Sequence, residues 1–150
     1  MKQIKIRNRQ RRFPVDSKAI RQAVTVLMTE LLPTDSYELA VLFVNETRMA
    51  ELNQRHLHHE GPTDIITFDY STPVLLHGEL VICPAVASAH AKKYRVTRGR
   101  EYARYLIHGV LHLRGHDDQK PAARRKMKTE ENRLLQKLAR RIPLDSLAHG

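Results

Sequence analysis

Two histidines and an aspartate in the last third of the chain have the types and spacing of metal ligands. His108 and His112 are four residues apart, which on a helix puts both imidazoles on one face. Gly115 can end such a helix and turn the chain back, and Asp118 follows ten residues after His108. Two imidazoles and one carboxylate suit Zn²⁺, and three protein ligands leave the fourth position open for water. The spacing therefore predicts one catalytic zinc ion per chain, whose bound water serves as the hydroxide source.

The identity of the third ligand is open between two side chains. Asp118 has the offset at which the H-x-x-x-H-x-x-G-x-x-H pattern delivers its third ligand, whereas His116 is the better zinc ligand by type. Asp117 is a candidate outer partner that orients a histidine. A histidine pair at this spacing also arises by chance on the surface of a chain that has nine histidines. The glycine and the carboxylate that follow the pair favour the metal site.

The residue after the first histidine and the net charge together indicate the substrate class. Zinc peptidases place a glutamate there as general base, but this chain has Gly109, so a peptidase is disfavoured. The chain has 26 Lys and Arg against 16 Asp and Glu, a net charge of +10, which favours a polyanionic partner such as nucleic acid. A metal-activated hydroxide can attack a phosphodiester, so the combination predicts a nuclease.

The composition predicts one globular domain in a reducing compartment. The chain has 150 residues, 41% of them hydrophobic and 28% charged, which suits a single domain. Its longest apolar stretches, such as Ala40–Val44, are too short to cross a membrane, and the basic amino terminus lacks the apolar region of a secretory signal. Cys83 is the only cysteine, so no internal disulfide forms. We expect a cytoplasmic protein without membrane association, and no pattern predicts a small-molecule cofactor.

Hydrophobic periodicity predicts strands and helices that alternate along the chain. Four strands are expected, at Met1–Arg7, Tyr37–Val44, Asp64–Tyr70 and Gly78–Cys83. Five helices are expected, from Asp16 or Ser17 to about Leu32, from Asn45 to a break at Gly61-Pro62, and over Ala85–Tyr94, Glu101–Leu113 and Pro121–Arg141.

This order predicts a single α/β (α+β) domain over residues 1–150, with a small mixed four-stranded sheet surrounded by about five helices. The metal site would lie at the end of the central helix Glu101–Leu113. We also expect a basic loop over Val96–Arg100 and a flexible tail over about 142–150.

Three blocks in order make the chain resemble a known family. The segment HGVLHLRGHDD at His108–Asp118 resembles the H-G-x-L-H-L-x-G-[YF]-D-H signature of the endoribonuclease YbeY family, the bacterial rRNA maturation factors. The segment GPTDIITFDY at Gly61–Tyr70 is similar to the family's P-T-D-V-[LI]-[ST]-F block, and GELVIC at Gly78–Cys83 to its G-D-I-x-I strand. Asn53 and the pair Met127 and Glu131 also occupy positions that match the family pattern.

The resemblance implies a cytoplasmic, metal-dependent, single-strand-specific endoribonuclease that acts in maturation of the 16S rRNA 3′ end and in ribosome quality control. Its partners would be rRNA and ribosomal subunits or ribosomal proteins. The family's three histidine ligands carry over to His108, to His112 and to the position that Asp118 occupies. A carboxylate can also coordinate zinc, so the resemblance implies a functional variant of the site.

A second departure concerns catalysis. The family usually has an arginine five residues before the proline of P-T-D, and here that position is Leu57. The candidates to replace it as a phosphate clamp are Arg55, His58 and His59. The sequence alone does not distinguish among these three. The missing arginine and Asp118 keep an alternative open, in which the protein is a catalytically weak RNA- or ribosome-binding assembly factor with a structural metal.

A basic stretch precedes the metal helix and is a candidate RNA contact. Its residues are Lys92, Lys93, Arg95, Arg98, Arg100 and Arg104. The alternative is a solvated face, which is the usual role of such runs. The net charge and the proximity to the metal ligands favour RNA contact. Aromatic residues make only 5% of the chain and include no Trp, so base stacking is poorly supplied.

Overall fold

Alternating apolar side chains build a four-stranded mixed sheet with the order β1-β2-β4-β3. In the computed structural model, which describes residues 1–58, 61 and 63–149, β1 (Lys2–Asn8) pairs in parallel with β2 (Tyr37–Phe43). β2 pairs in parallel with β4 (Leu76–Ile82), and β3 (Ile65–Asp69) lies antiparallel on the other side of β4. The single hairpin among the described strands is therefore β3–β4, and β2 pairs with one strand that precedes it and one that follows it in the sequence.

Five α-helices surround the sheet. They are α1 (Ser17–Val26), α2 (Glu46–Leu57), α3 (Pro84–Tyr94), α4 (Arg98–Leu113) and α5 (Pro121–Arg141). A π-helical turn over Leu27–Leu31 extends α1, and a 3₁₀ helix over Leu144–Ala148 follows α5. Asp16, Asn45 and Thr97 cap three of these helices, because their side-chain oxygens accept hydrogen bonds from backbone N–H groups of the first turn.

The helix α4 lies in the main core, pressed against β4. Most of its residues are buried, and a Cβ atom added at Gly109 would overlap the side chain of Leu80. A Cβ added at Gly78 would come within 2.6 Å of Leu113 Cδ2, so the strand is equally close at the next turn. These two glycines let α4 approach the sheet closely. That contact fixes the distance between the sheet and the α4 residues that point away from β4.

The opposite face of the sheet is covered only in part. Met49 and Leu52 of α2 pack with Ile66, Val81 and Cys83 in a second apolar cluster over β3 and β4. On the same face of β1, Lys5 and Arg7 are exposed. Within the described parts of the chain, no helix has the length and apolarity needed to cross a bilayer.

The structure confirms the predicted single α/β domain with a mixed four-stranded sheet and five helices, and it corrects two boundaries. The predicted basic loop Val96–Arg100 is wrong, because Thr97 caps α4 and the helix begins at Arg98. The strand β4 begins two residues before the predicted start at Gly78, at Leu76, whose N–H donates to the carbonyl oxygen of Ser36.

The carboxyl-terminal segment also differs from the expected flexible tail over about 142–150. Leu144 and Leu147 are buried in the main core, and the 3₁₀ helix that carries them packs on α4. The backbone N–H of Asp16 donates to the carbonyl oxygen of Leu147, and the Thr97 hydroxyl donates to Asp145 at 2.5 Å. In the sequence, the feature that indicates this packed turn is the spacing of three residues between Leu144 and Leu147.

Candidate functional site

A cavity of about 410 Å³ lies where α4, α5 and the start of β3 meet. Its lining includes four acidic or imidazole side chains, Asp64, His108, Asp118 and Glu131. Three basic side chains, Arg104, Arg124 and Lys128, complete its polar wall. The cavity therefore combines groups able to bind a cation with groups able to attract an anion.

His108 is held between two carboxylates in this cavity. Its Nδ1–H donates to Oε2 of Glu131 at 2.7 Å, and its Nε2 lies 3.6 Å from Oδ2 of Asp118. The Glu131 side chain is only 8% exposed, so this partner is fixed by packing. Because a carboxylate only accepts hydrogen bonds, Glu131 selects the tautomer in which Nε2 carries a free lone pair toward Asp118.

The electrostatics of His108 follow from the same neighbours. Burial disfavours its protonated form, but the hydrogen bond to Glu131 and the charges of Glu131, Asp118 and Asp64 outweigh burial and raise the pKa of His108 above its usual range. The site therefore attracts positive charge in the absence of a metal. A proton and a metal ion would compete for the same Nε2 atom.

His112 lies one helical turn after His108 on α4 and is partly buried. Its Nδ1 atom is buried and has no hydrogen-bond partner among the described residues. A buried polar atom without a partner is costly, so this imidazole retains an unused binding capacity one helical turn from His108. It does not line the cavity itself, and the described part of the chain contains no group of three His, Cys, Asp or Glu side chains already gathered around one metal position.

The donor types nevertheless fit a divalent metal. The Nε2 lone pair of His108, the orphaned ring nitrogen of His112 and the carboxylate of Asp118 are the borderline and hard ligands that Zn²⁺ takes. Glu131 supplies the outer carboxylate that commonly orients a ligating histidine. The structure thus brings His108 and Asp118 together, and His112 follows His108 by one turn of α4.

The two other polar residues of the turn after α4 face elsewhere. His116 lines a separate shallow depression with Lys126, Thr129 and Glu130, on a different side of α5 from the cavity. Asp117 accepts a hydrogen bond from the backbone N–H of Gln119 at 2.8 Å and so shapes the turn. Asp117 was the predicted candidate for a carboxylate that orients a histidine. The carboxylate bonded to His108 is Glu131 instead.

Arg124 fixes the turn that carries Asp118. Its Nε donates to the carbonyl oxygen of Asp118 at 2.9 Å, and its Nη2 donates to that of Gln119 at 3.1 Å. Arg124 and Lys128 belong to the basic helix predicted over Pro121–Arg141, and both line the cavity. The only sequence signal was their position one and two turns into the helix that follows the candidate ligands.

The far wall of the cavity is a chain of polar contacts from β3 to α3. One oxygen of Asp64 accepts a hydrogen bond from the N–H of Ile65 at 2.8 Å, which fixes the side chain at the start of β3. Its other oxygen lies 3.8 Å from Nδ1 of His90, which is also 3.3 Å from the hydroxyl of Tyr105. Burial, with the charges of Asp64 and Glu101, raises the pKa of Tyr105, so its phenol remains protonated at neutral pH.

The six predicted RNA-contact residues differ in their surroundings. Lys92, Lys93 and Arg95 are exposed at the end of α3, whereas Arg98 lies over the ring of Phe13 at 5.2 Å. Arg100 is exposed in the first turn of α4.

Arg104 is the member of this set that lines the cavity. Its guanidinium is paired with Glu101, at 2.7 and 3.3 Å. Burial opposes the charge of Arg104, but the bond to Glu101 outweighs it and raises the pKa of the guanidinium.

The candidates for the missing arginine lie away from the cavity as far as the structure describes them. Arg55 and His58 are exposed at the end of α2 and do not contribute to the described lining. His58 has a left-handed backbone conformation, φ 57°, and ends the helix. Leu57 is 44% exposed, and His59 lies outside the described residues.

Comparisons with known proteins agree on one family. The family model described as Endoribonuclease YbeY matches residues 5–139. The chain is 35% identical over 138 residues to Endoribonuclease YbeY of Chlorobium luteolum, covering 92% of this chain and 99% of that protein. It is 37% identical over 98 residues to the protein of the same name from Phocaeicola vulgatus, covering 65% and 71% of the two chains. The solution structure of TM1509 from Thermotoga maritima superposes with a TM-score of 0.66 at 22% identity over 95% of each chain, which shows the shared fold.

Proposed function

Because the chain belongs to the endoribonuclease YbeY family, we propose that it is a metal-dependent endoribonuclease that cleaves single-stranded RNA. We place its action in maturation of the 16S rRNA 3′ end and in ribosome quality control, in the cytoplasm. The observation that carries the proposal is the cavity in which His108, oriented by Glu131, faces Asp118 beside the cation of Lys128. The net charge of +10 supports a polyanionic substrate.

The proposed metal ligands are His108, His112 and Asp118, with His116 as the alternative to Asp118. One divalent ion, Zn²⁺ by donor type, would supply Lewis-acid polarisation of the phosphodiester and a water acidic enough to attack it near neutral pH. Its binding requires His108 to be unprotonated at Nε2, which the Glu131 contact permits because that contact uses Nδ1.

The remaining side chains position the substrate and the ligands. Arg124 holds the carbonyl oxygens of the turn that carries Asp118, so it acts as a positioning residue for the carboxylate. Lys128 lines the cavity one turn further along α5 and supplies a positive charge for a phosphate oxygen. The guanidinium of Arg104 forms a bidentate pair with Glu101. It therefore contributes positive electrostatic potential to the cavity and not two free donors for a phosphate.

The proposed partners are rRNA and ribosomal subunits or ribosomal proteins. The described cavity lining contains one aromatic side chain, Tyr105, and its hydroxyl is engaged with His90. A site of this kind has little capacity to select bases by stacking. Selection of the cleavage position would then depend on the ribosomal particle that presents the RNA.

The test is cleavage of a labelled single-stranded RNA by the purified protein, with its metal content measured on the same sample. We expect about one divalent ion per chain, loss of cleavage after chelation, and recovery when Zn²⁺ is returned. His112→Ala should lose both metal and cleavage, whereas His149→Ala, an exposed residue near the carboxyl terminus, should lose neither. Full metal occupancy in the His112 variant would place the site elsewhere.

The same experiment separates the second candidate function, an RNA-binding assembly factor with a structural metal. The position of Leu57 favours this alternative, since the family arginine is absent and neither Arg55 nor His58 reaches the described cavity lining. Under that alternative the metallated protein binds RNA without cutting it, and chelation lowers its stability rather than its activity.

A further inference from the structure

A basic groove runs along the face of the sheet opposite α4, outside the candidate site. It consists of two adjoining cavities, one of about 530 Å³ over β1 and β2 and one of about 390 Å³ at the carboxyl end of those strands. The two cavities share Arg9, Val44 and Asn45, so they are continuous. The basic side chains that line the groove are Lys5, Arg7, Arg9, Arg11, Arg12 and Arg48.

Strand periodicity explains why the charges of β1 share this face. Lys5 and Arg7 alternate with Ile4 and Ile6, whose side chains pack against the main core on the other face. Arg9 continues the row, so the Cα atoms of successive basic residues are about 6.6 Å apart, twice the rise per residue of a strand.

Two other elements complete the groove. Ala40 and Leu42 of β2 line it beside the β1 cations, where they add small and apolar side chains. Arg48 reaches in from the first turns of α2, which Asn45 caps.

Few carboxylates neutralise the groove. Glu46 is the one acidic residue in its described lining, and it pairs with Arg12 at 3.3 Å. Arg48 pairs with Glu51 at 3.1 Å outside the lining. All four of these side chains are about half exposed or more, so the pairs are weak and a phosphate can compete for either guanidinium. The cations of β1 therefore face the solvent of a concave surface with little compensation.

The groove and the candidate site open at the same end of the sheet. Ile65, which lines the site, pairs with Ile82, and Ile82 pairs with Phe43, the residue before Val44 of the groove. Ile65 and Phe43 are therefore two strand spacings apart, about 10 Å. A nucleic-acid strand that crosses the carboxyl ends of β2 and β4 can therefore occupy both.

We propose that this basic groove binds the phosphate backbone of the substrate RNA beyond the segment that enters the candidate site. The inference rests on the proposed RNA-cleaving function and adds a second contact surface to it. Phe13 is the aromatic residue of the described lining, and its ring is covered by the guanidinium groups of Arg12 at 4.9 Å and Arg98 at 5.2 Å. The groove thus offers charge rather than a stacking platform, and its binding is independent of base sequence.

The test compares two triple variants of the full-length protein with equal charge. K5Q/R7Q/R9Q removes the β1 row, and K126Q/K137Q/R140Q removes three exposed cations of α5 outside the groove. Binding of a labelled single-stranded RNA of about 20 nucleotides is followed by anisotropy in the cold over a series of salt concentrations, with gels to verify intact RNA. Circular dichroism melting verifies that both variants fold.

We expect the β1 variant to bind the long RNA about tenfold more weakly. The slope of log binding constant against log salt concentration should be less steep by about 2, since each of the three lost phosphate contacts contributes about 0.7 to that slope. Its KM for the long RNA should rise while kcat is unchanged, and cleavage of an RNA of about 5 nucleotides should equal that of the wild type. Equal losses in the two variants, or a wild-type slope in the β1 variant, would overturn the proposal. Absence of cleavage by the wild type would contradict the proposed function without affecting this binding comparison.

Crosslinking of the unaltered protein gives a second readout that does not depend on variant folding. RNA with photoreactive uridines should crosslink to peptides from residues 4–13 and 40–48. Crosslinks confined to other peptides, or binding of an acidic protein instead of RNA at this face, would contradict the groove as an RNA surface.

Discussion

Glu131 on α5 and His108 on α4 are joined by a hydrogen bond of 2.7 Å although 23 residues separate them in the sequence. The bond leaves Nε2 of His108 directed at Asp118, so the packing of α5 on α4 sets the orientation of a proposed metal ligand.

Glu131→Gln should weaken metal binding by about 10–100-fold, because the neutral amide no longer selects the tautomer or raises the basicity of His108. The matched control is Glu130→Gln, a neighbour whose carboxylate pairs with Arg133 at 2.8 Å outside the cavity lining. A competition titration with a chromophoric chelator measures both affinities. Equal affinities would show that Glu131 has no role in holding the metal.

The metal-free protein should lose stability as the pH rises through the pKa of His108. The pKa of this imidazole is raised in the folded protein, so protonation favours the folded state. The contribution is fully present below the unfolded value of about 6.5 and disappears as the pH passes the folded pKa. Urea unfolding of the wild type and of His108→Asn should therefore show a difference in unfolding free energy that narrows with increasing pH. A difference that is constant over pH would contradict the assignment.

Asp118→His should shift the pH–rate profile of RNA cleavage to lower pH. Replacing a carboxylate by a neutral imidazole makes a metal centre more positive by one charge, which lowers the pKa of its water. We expect the variant to stay metallated and active, since histidine is an ordinary zinc ligand. Asp117→His is the control, because Asp117 caps the turn and does not contribute to the described cavity lining. At matched metal content, a wild-type profile for Asp118→His would make His116 the leading third ligand.

Gly109→Ala should destabilise the protein by about 1–3 kcal/mol, since the added methyl overlaps Leu80 and pushes α4 away from β4. Gly115→Ala provides the contrast. A Cβ there meets no atom within 4 Å, and only its backbone conformation, φ +98°, opposes the substitution. Urea unfolding measures this loss of stability, and competition with a chromophoric chelator should show lower metal affinity for the Gly109 variant, because His108 precedes it directly. A Gly109 variant as stable as the wild type would contradict the close approach of α4.

The local part of the site could be predicted from the sequence. The spacing of His108 and Asp118 around Gly115 anticipates a helix end and a returning turn, and the structure brings these two side chains to 3.6 Å. Helix periodicity alone does not decide which neighbour fills the space beside a histidine. Glu131 was identifiable only as part of a family-like pattern, and its contact depends on how α5 crosses α4.

The predictions that failed concern segments whose structure depends on distant partners. The docked turn Leu144–Ala148 has only two buried leucines, and its place is set by α4 and by the N-cap of α1. The start of α4 at Arg98 depends on the Thr97 cap, whose hydroxyl also bonds Asp145. A run of charges does not reveal the contacts of each member, so the sequence did not distinguish the exposed Lys92 from Arg104, which lines the cavity; the predicted RNA contact of both stays a prediction.

The order of strands in the sheet has a consequence for folding kinetics. Tyr37 of β2 pairs with Lys2 and with Leu76, so both parallel ladders join segments that are far apart in the chain. Closing such loops costs entropy before any ladder bond compensates for it, which slows the search for the native topology. The hairpin of β3 and β4 is local and is expected to form first, with β2 docking later as the rate-limiting event. Substitutions at the β2–β4 boundary should therefore slow refolding, whereas substitutions on β1 should mainly accelerate unfolding.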